Sequence, residues 1–471
     1  MKIKLKKFTE FSQHILPHEA TYLSALHQFK DPEKCAIIEV VIANALSENN
    51  PLAFDQTIDK RKYSYIKNWI DTKLAAIDVD VIINWIMLLK NKVLTDAITA
   101  TEERAFLHYI INYKKVDYNF QNLYELVKDY KPYLLVRMRY KDHHIVAEFL
   151  KNYKTHYTTS IKIHSKLYVA TTDITNQYSL NNNEPKVWER WLLKVFVSQG
   201  IDGKNRYQAF ILLAFMYTNY NENDKLKKIF NQIDTFFGQG QLYSRRILSN
   251  YYASRVLMHS RKGELKKAEY YAYLSIRQEN NDTLMYLNNL VAILLRNNNA
   301  KKAYLLLSSH QNLFNDTHNY HQKLGYASNQ IRTLTELNKI KEAEVYAKKI
   351  IKKYKSEVIE YRLHHFFTSY INLLIIQEKY ADVLKLTSRF NLIAKEKERK
   401  EKGNYVPNIS WSISLSRYMQ GKINAVKLLE EIKEPIEGTK HTLNQKQHMI
   451  NVIDKLSKNL PEAFLQLKSY L

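Results

Sequence analysis

The feature that most constrains this chain is the scarcity of residues that interrupt helices. No glycine occurs before Gly200, and no proline lies between Pro185 and Pro407. In a helix interior, glycine and proline are less favourable than alanine by about 1 and 3 kcal/mol, respectively. The sequence therefore predicts an all-α protein in which one helix follows another. The same scarcity removes the glycine-rich loops that bind phosphates or dinucleotides.

Composition and charge limit the class of protein without naming a partner. Of the 471 residues, 45% are hydrophobic and 12% aromatic, which is enough to build a long continuous core. The net charge of +24 would attract nucleic acids or acidic proteins. Abundant Lys, Asn, Ile and Tyr with little Gly or Pro is also the composition that an AT-rich genome produces. The charge is therefore either functional or a compositional bias.

Targeting signals and metal-binding patterns are not apparent. Cys35 is the single cysteine, so no intramolecular disulfide forms and no cysteine-based zinc site is expected. The basic N-terminal stretch is interrupted by Glu10 and Gln13 before the apolar region of a signal peptide develops. The apolar stretches 81–89 and 210–217 fall short of the roughly 18 residues that a membrane span needs. We expect a cytoplasmic protein without a membrane span, cofactor or metal.

An internal repeat is the strongest pattern in the sequence. The similar segments GELKKAEYYA and NNAKKAYLLL begin at Gly263 and Asn298, 35 residues apart. Extending this register gives four units with matching apolar positions. These positions are Tyr252, Leu287, Ala327 and Phe367, then Val256, Val291, Ile331 and Ile371, then Ala268, Ala303, Ala343 and Val383. Spacings of three and four residues place each set on one helix face, so each unit is predicted to be two amphipathic helices.

The segments between the two helices of each unit are short and polar. They read SRKGE, RNNN, ELNK and QEK, which predicts tight turns between antiparallel helices. The small residues Ala268, Ala303 and Ala343 then have a clear role. They allow the second helix to approach the first closely, where a larger side chain would force the two apart.

This register resembles the tetratricopeptide repeat, which has a turn glycine, a small residue five positions later and an aromatic or small residue four beyond that. Gly263, Ala268 and Ala272 match this pattern. The later units carry Asn298, Asn338 and Glu378 at the glycine position, lack the Trp-Leu-Gly signature, and lengthen to about 40 residues. The resemblance implies a right-handed α-solenoid of antiparallel helical hairpins. Other helical-hairpin solenoids remain an alternative.

The repeat pattern also suggests a domain organisation. About six hairpins fit between residues 205 and 432, so we assign tetratricopeptide-like repeats to 186–438 and capping helices to 439–471. Residues 1–180 form an N-terminal helical region, either diverged hairpins or a separate domain. The polar stretch 171–185, rich in turn formers and ending in proline, is the predicted boundary.

Candidate site residues follow from the resemblance, which implies that the first helix of each hairpin lines a concave groove. The groove residues it implies are Asn250, Asn288, Asn289, Asn329, Arg332 and Asn372. Asparagine donates and accepts hydrogen bonds at once, as do the amides of an extended peptide. We therefore predict a peptide-binding groove. The alternative is that these residues form only a solvated helix face, because the whole chain is rich in asparagine.

Other clusters have a structural explanation. His14 and His18, four residues apart, supply only two ligands where a metal site generally needs three or four. The acidic residues Asp78 and Glu102 lie near predicted helix starts, where a carboxylate complements the helix dipole. We expect these residues to serve the fold.

The functional prediction is a non-enzymatic scaffold or adaptor that binds a protein or extended peptide in the groove. The alternative is a nucleic-acid-binding repeat protein, favoured by the net charge and by the basic, aromatic segment 59–69. An enzyme ranks third among the candidates, because the sequence shows no nucleophile and base at an informative spacing. Two copies of the chain could also pair through exposed hairpin ends, so a homodimer is a further alternative.

Overall fold

The prediction of an all-α protein is confirmed. A computed structural model describes residues 5–47, 51–180, 184–220, 222–400, 405–437, 441 and 443–471. Helices make up 79% of the chain, and no strand occurs among the described residues. The chain divides into two compact units, Met1–Tyr251 and Tyr252–Leu471.

The helices of the first unit vary widely in length. They are α1 (Lys6–Gln13), α2 (Pro17–Leu26), α3 (Pro32–Leu46), α4 (Lys60–Ile77), α5 (Val79–Leu94), α6 (Ala100–Ile111), α7 (Phe120–Val136), α8 (Tyr140–Leu180), α9 (Glu189–Val197), α10 (Gly203–Asn219), α11 (Asn223–Gly238) and the start of α12 (Arg245–Arg261). A 3₁₀ helix, Glu184–Trp188, precedes α9. Helix α7 packs on α5 and α8, and α2 packs on α11. Helix α8 also contacts α10, so this unit extends past the predicted boundary near residue 180.

The polar stretch 171–185 does not begin with a turn, although its many turn-forming residues predict one. Helix α8 continues through it to Leu180. The hydroxyls of Thr171 and Thr175 each donate to a backbone carbonyl four residues earlier, both at 2.8 Å. These threonines therefore satisfy their polar groups within the helix. Residues 181–183 of the stretch lie outside the described residues.

The acidic residues near helix starts act as predicted. The Asp78 carboxylate caps α5 by accepting from the backbone N–H groups of Asp80 and Val81, at 2.8 and 3.3 Å. Thr99 and Glu102 form a capping box at the start of α6. Both carboxylates satisfy N–H groups that the helix itself leaves unpaired.

The second unit contains the four units of the predicted register. Its helices after α12 are α13 (Leu265–Ser275), α14 (Thr283–Arg296), α15 (Ala300–Ser309), α16 (Gln311–Asp316), α17 (Tyr320–Glu336), α18 (Ile340–Lys353), α19 (Lys355–Tyr361), α20 (Leu363–Ile376), α21 (Tyr380–Arg389), α22 (Leu392–Lys400), α23 (Asn408–Met419), α24 (Ala425–Lys433), α25 (Leu443–Leu456) and α26 (Pro461–Phe464). The 3₁₀ helix Leu465–Tyr470 ends the chain. The four predicted turns are confirmed, and Ala268, Ala303 and Ala343 are fully buried.

The turns of these hairpins share one backbone geometry. The residue at the glycine position of the repeat has a positive φ in every unit, whichever amino acid occupies it. The φ angles are 76° at Gly263, 57° at Asn298, 58° at Asn338, 55° at Glu378 and 66° at Gly421. The next N–H bonds to a carbonyl five residues earlier, as from Lys379 to Leu374 at 2.9 Å. Each first helix therefore ends in a Schellman motif, which normally favours glycine.

Glu378 is the residue least suited to this geometry, because left-handed backbone costs a non-glycine residue about 1–2 kcal/mol and asparagine less. We expect Glu378→Gly to stabilise the protein by about 0.5–1 kcal/mol, after allowing for the greater freedom of glycine in the unfolded chain. Urea unfolding of the full chain measures the change. Asn338→Gly, the matched control, should gain less. An unchanged or lowered midpoint for Glu378→Gly would contradict the prediction.

Short extra helices account for the lengthening of the later repeats. Helix α16 follows the pair α14 and α15, α19 follows α17 and α18, and α22 follows α20 and α21. The first pair, α12 and α13, is followed by no such helix before α14 begins. The repeats about 40 residues long therefore contain three helices where the shorter first one contains two.

The C-terminal helices pack against the repeats of the second unit. Met449, Ile453 and Phe464 are fully buried in the same apolar cluster as Trp411. Lys455 of α25 pairs with Glu336 at the end of α17 at 3.8 Å, and the Asn459 amide donates to the Tyr380 hydroxyl at 3.1 Å. The last segment therefore contacts repeats far from it in sequence.

Candidate functional site

The predicted groove residues of the second unit lie on three successive first helices. Helix α14 contacts α17, and α17 contacts α20. The fully buried residues Leu287, Ala327 and Phe367 occupy equivalent positions on these helices. Polar residues within five positions of these three in the chain make up what we call the polar face, some of them buried and some partly exposed. It consists of Asn288, Asn289, Ser328, Asn329, Arg332, His365, Thr368, Ser369 and Asn372.

Two of the predicted groove residues are buried and joined to each other. The side-chain amide of Asn329, 2% exposed, donates to the backbone oxygen of Asn288 at 3.1 Å. The Asn288 amide, 9% exposed, donates to the backbone oxygen of Gln322 at 2.9 Å. These bonds run between α14 and α17, so both side chains are engaged in joining neighbouring repeats.

Three others remain partly exposed to solvent. The side chains of Asn289, Arg332 and Asn372 form no hydrogen bond or ion pair with any described residue. One residue lies on each of α14, α17 and α20, so together they cross the polar face. Asn250 belongs to the first unit, where its side-chain oxygen accepts a hydrogen bond from the Tyr207 hydroxyl at 2.9 Å. A peptide-binding role for these residues stays a prediction.

A cation, Arg362, adjoins the polar face. The Arg362 guanidinium, just before α20, donates to the backbone oxygen of His321 at 3.1 Å and lies 3.1 Å from the imidazole Nδ1 of the same residue. It also lies against Gly325 of α17. A Cβ at this glycine would stand 3.7 Å from a guanidinium nitrogen of Arg362 and 3.1 Å from the Asn288 amide nitrogen. Glycine in this helix therefore lets the Asn288 amide approach the backbone, whereas Arg362 lies at an ordinary van der Waals distance.

His365 lies one helical turn beyond Arg362. Burial lowers the pKa of His365 to about 3, with further contributions from Arg362, Arg332, His321 and Arg399. The imidazole is therefore neutral at neutral pH. Its ring forms no hydrogen bond with the described residues.

Arg332 of α17 and Arg399 of α22 are two further cations of the second unit. Neither forms an ion pair or hydrogen bond with any residue in the described ranges, although both are partly buried. Burial lowers the pKa of the Arg332 guanidinium, an effect that Glu336 opposes and Arg296 reinforces. Arginine is deprotonated only with great difficulty, so these side chains stay charged in a partly desolvated setting.

The nearby acids are already engaged. Glu336 pairs with Lys455 of α25, as described above. Glu396 of α22 is 6% exposed, lies 2.7 Å from His364 and accepts from the Tyr405 hydroxyl at 3.2 Å. Neither carboxylate forms an ion pair with Arg332 or Arg399.

The sequence indicated Arg332 but missed Arg362 and Arg399. Both lie outside the repeat positions that were compared, because Arg362 precedes the first helix of its repeat and Arg399 lies on the extra helix α22. Gly325 was the available signal. It is the single glycine among the described residues between Gly263 and Gly421, and it occupies a helix interior, where glycine is unfavourable without a packing reason.

Other sequence candidates have partners in the fold. His18 bonds to Asp234 at 2.9 Å, and Lys62 of the basic segment 59–69 pairs with Asp31 and Glu33, both at 2.8 Å. Among the described residues, no group of three or more His, Cys, Asp or Glu side chains is placed to hold a metal ion.

Comparison with known proteins identifies no relative. No family model, curated protein or solved structure matches the chain. As for membranes, each helix in the described ranges is either too short or too polar to cross a bilayer.

Proposed function

We propose that the protein is a non-enzymatic scaffold whose second unit binds an extended peptide segment of a partner along the polar face. In this proposal the repeats form a tetratricopeptide-like, right-handed solenoid, and the polar face lines its groove. The single observation that carries the proposal is a row of partly exposed side chains, Asn289, Arg332 and Asn372, that form no hydrogen bond or ion pair with the residues that the structure describes. Each lies on a different first helix, at the same side of the repeat.

The spacing of this row suits an extended peptide. Packed helices lie about 8–10 Å apart, and an extended chain advances about 3.3 Å per residue. A segment of about six residues would therefore pass α14, α17 and α20. Asn289 and Asn372 would each hydrogen-bond a peptide amide, while Arg332 would bind a carboxylate or carbonyl group. Asn288 and Asn329 would hold the helices in place beneath the peptide.

A random peptide library displayed on phage and selected against the full chain tests this function. We expect selected peptides to bind the double variant Asn289→Ala/Asn372→Ala more weakly by about 5- to 150-fold, because two hydrogen bonds contribute roughly 1–3 kcal/mol. Isothermal titration calorimetry measures the affinities.

The matched control removes two exposed amides elsewhere in the unit. Gln311→Ala/Asn312→Ala changes α16, away from the polar face, and should leave the affinity unchanged. Circular dichroism melting establishes that both double variants are folded. Equal binding by the polar-face variant and the wild type, or a selection that yields no peptide, would reject the proposed function.

A further inference from the structure

We propose that a cavity between α16 and α18 in the second unit binds a small phosphate monoester, with the phosphate between Lys349 and Lys353 and the apolar part of the molecule against Phe314. The cavity has a volume of about 300 Å³. None of the residues that line it belongs to the polar face. The inference therefore concerns a second site and does not depend on the proposed function.

The cavity forms where two helices present one face each. Helix α16 contributes Gln311, Phe314 and Asn315, whose spacing places them on the same side of the helix. Helix α18 contributes the residues at positions 346, 349, 350 and 353, which also share one side. Tyr354, just after α18, completes the lining. Helix α16 is one of the short extra helices, so the cavity results from the lengthening of a repeat.

The polar side chains of the lining are not used by the fold. Gln311, Asn315, Tyr346, Lys349 and Lys353 form no side-chain hydrogen bond or ion pair with the residues that the structure describes. Burial raises the pKa of Tyr346, so its hydroxyl stays protonated and can donate. All five side chains are hydrogen-bond donors, and no carboxylate occurs among the described lining residues. This set suits a ligand with negative charge and several acceptor oxygens.

Lys323 of α17 adds positive charge next to the cavity. It is only 8% exposed and forms no ion pair with any described residue, although buried lysines are usually paired. Its ammonium donates to the backbone oxygen of Asn315 at 3.4 Å and lies 5.4 and 5.8 Å from the ring centroids of Phe314 and Tyr354. The Lys353 ammonium lies 5.1 Å from the same Tyr354 ring. Two cations therefore contact one residue of the lining, and the cavity attracts an anion.

The acids near these lysines do not neutralise them. Glu344 of α18 pairs with Lys348 and Lys379, both at 2.6 Å. Asp316 and Glu357, which are close to the lining residues in sequence, form no ion pair within the described ranges. Lysines in the last turn of α18 also complement the helix dipole, but this interaction leaves their donors unused. The lysine charges are therefore available to a ligand.

Size and chemistry select the class of ligand. Small-molecule pockets enclose about 300–1,000 Å³, so this cavity suits a small molecule. A phosphate monoester carries about −1.5 to −2 charges at pH 7 and three strong acceptor oxygens. Lysine binds phosphate as a point charge, whereas bidentate binding of a carboxylate is typical of arginine, which the described lining lacks. The buried residues Phe314 and Ile350 offer an apolar surface to the rest of the ligand.

Isothermal titration calorimetry of the full chain, with phenyl phosphate as the probe, tests this site. Benzoate, which has the same ring and one charge, and phenol, which is neutral, are the comparison ligands. We expect phenyl phosphate to bind at least about tenfold more tightly than benzoate, because it carries more charge and more acceptors. Phenol should show no detectable binding. Lys349→Gln/Lys353→Gln should weaken the binding of phenyl phosphate by at least about tenfold.

The matched control is Lys341→Gln/Lys352→Gln, which removes two exposed lysines of α18 that do not line the cavity. It lowers the net charge equally and should keep the affinity for phenyl phosphate within about twofold. Circular dichroism melting establishes that both double variants are folded. Equal weakening in the two double variants would show that net charge alone is responsible and would overturn the site. Equal affinity for phenyl phosphate and benzoate, or for phenyl phosphate and inorganic phosphate, would also overturn it.

A second measurement locates the bound probe. Reductive methylation with ¹³C-formaldehyde labels the lysines, and the variants Lys349→Gln and Lys353→Gln assign the two signals of interest. Phenyl phosphate should shift both signals and leave those of Lys341 and Lys352 unchanged. Unmoved signals from Lys349 and Lys353 would contradict the proposal. A single-stranded RNA that binds more tightly than phenyl phosphate, with the same dependence on both lysines, would assign them to nucleic acid and overturn it. A failed peptide selection rejects the proposed function alone.

Discussion

Replacing Trp411 by Ala is expected to lower the free energy of unfolding by about 3–5 kcal/mol, the range for removing a large aromatic side chain from a core. Trp411 is fully buried, and its indole N–H donates to the backbone oxygen of Ile432 at 2.9 Å. The ring also packs edge-on against Phe464 of α26, with centroids 6.5 Å apart. The substitution therefore leaves a cavity and an unpaired carbonyl where α23, α24 and the C-terminal segment meet.

Chemical unfolding of the full chain, followed by circular dichroism, measures this effect. Met419→Ala provides the control, because Met419 lies on the same helix but is 41% exposed. It should change the free energy of unfolding by no more than about 0.5 kcal/mol. A Trp411→Ala protein as stable as the control would mean that the C-terminal segment is not packed on α23 as described.

Replacing Ala303 by Leu is expected to destabilise the protein by about 1–3 kcal/mol through overpacking. Ala303 is fully buried in α15 at the position that Ala268 and Ala343 occupy in neighbouring repeats. A leucine there would need space that α14 and α17, the helices in contact with α15, already fill. The other two alanines should respond in the same way.

Lys302→Leu adds a leucine to the adjacent, exposed position and is the control for helix propensity and hydrophobicity. It should change the melting temperature little. Equal melting temperatures for Ala303→Leu and Lys302→Leu would show that the repeat register is misplaced. The two variants differ by one position in the chain, so the comparison isolates burial.

Local features of the fold were predictable from the sequence. The turn positions at Gly263, Asn298, Asn338 and Glu378 followed from short polar gaps between amphipathic segments, although the left-handed backbone that all four share was not predicted. The buried alanines followed from the repeat register. Both features depend on residues close together in the chain, for which spacing and side-chain size are sufficient information.

Features that depend on distant residues were harder to predict. Asn288 and Asn329 lie on the first helices, as the register placed them, but their burial results from the contact between α14 and α17. The continuation of α8 through a threonine-rich stretch, and the extra helices α16, α19 and α22, result from packing that local preferences do not determine. Arg362 and Arg399 were missed because they lie outside the repeat positions that the register compares.

The contact of the C-terminal helix with an early repeat affects the order in which the protein can form during synthesis. Repeats that touch only their neighbours can fold as soon as they have been made. Here Glu336 meets Lys455, and Tyr380 meets Asn459, so these repeats obtain some of their contacts from residues much later in the sequence. The ribosome must release almost the entire second unit before α17 and α21 are fully packed. Until then, the apolar surface that covers Met449 and Phe464 remains accessible to chaperones.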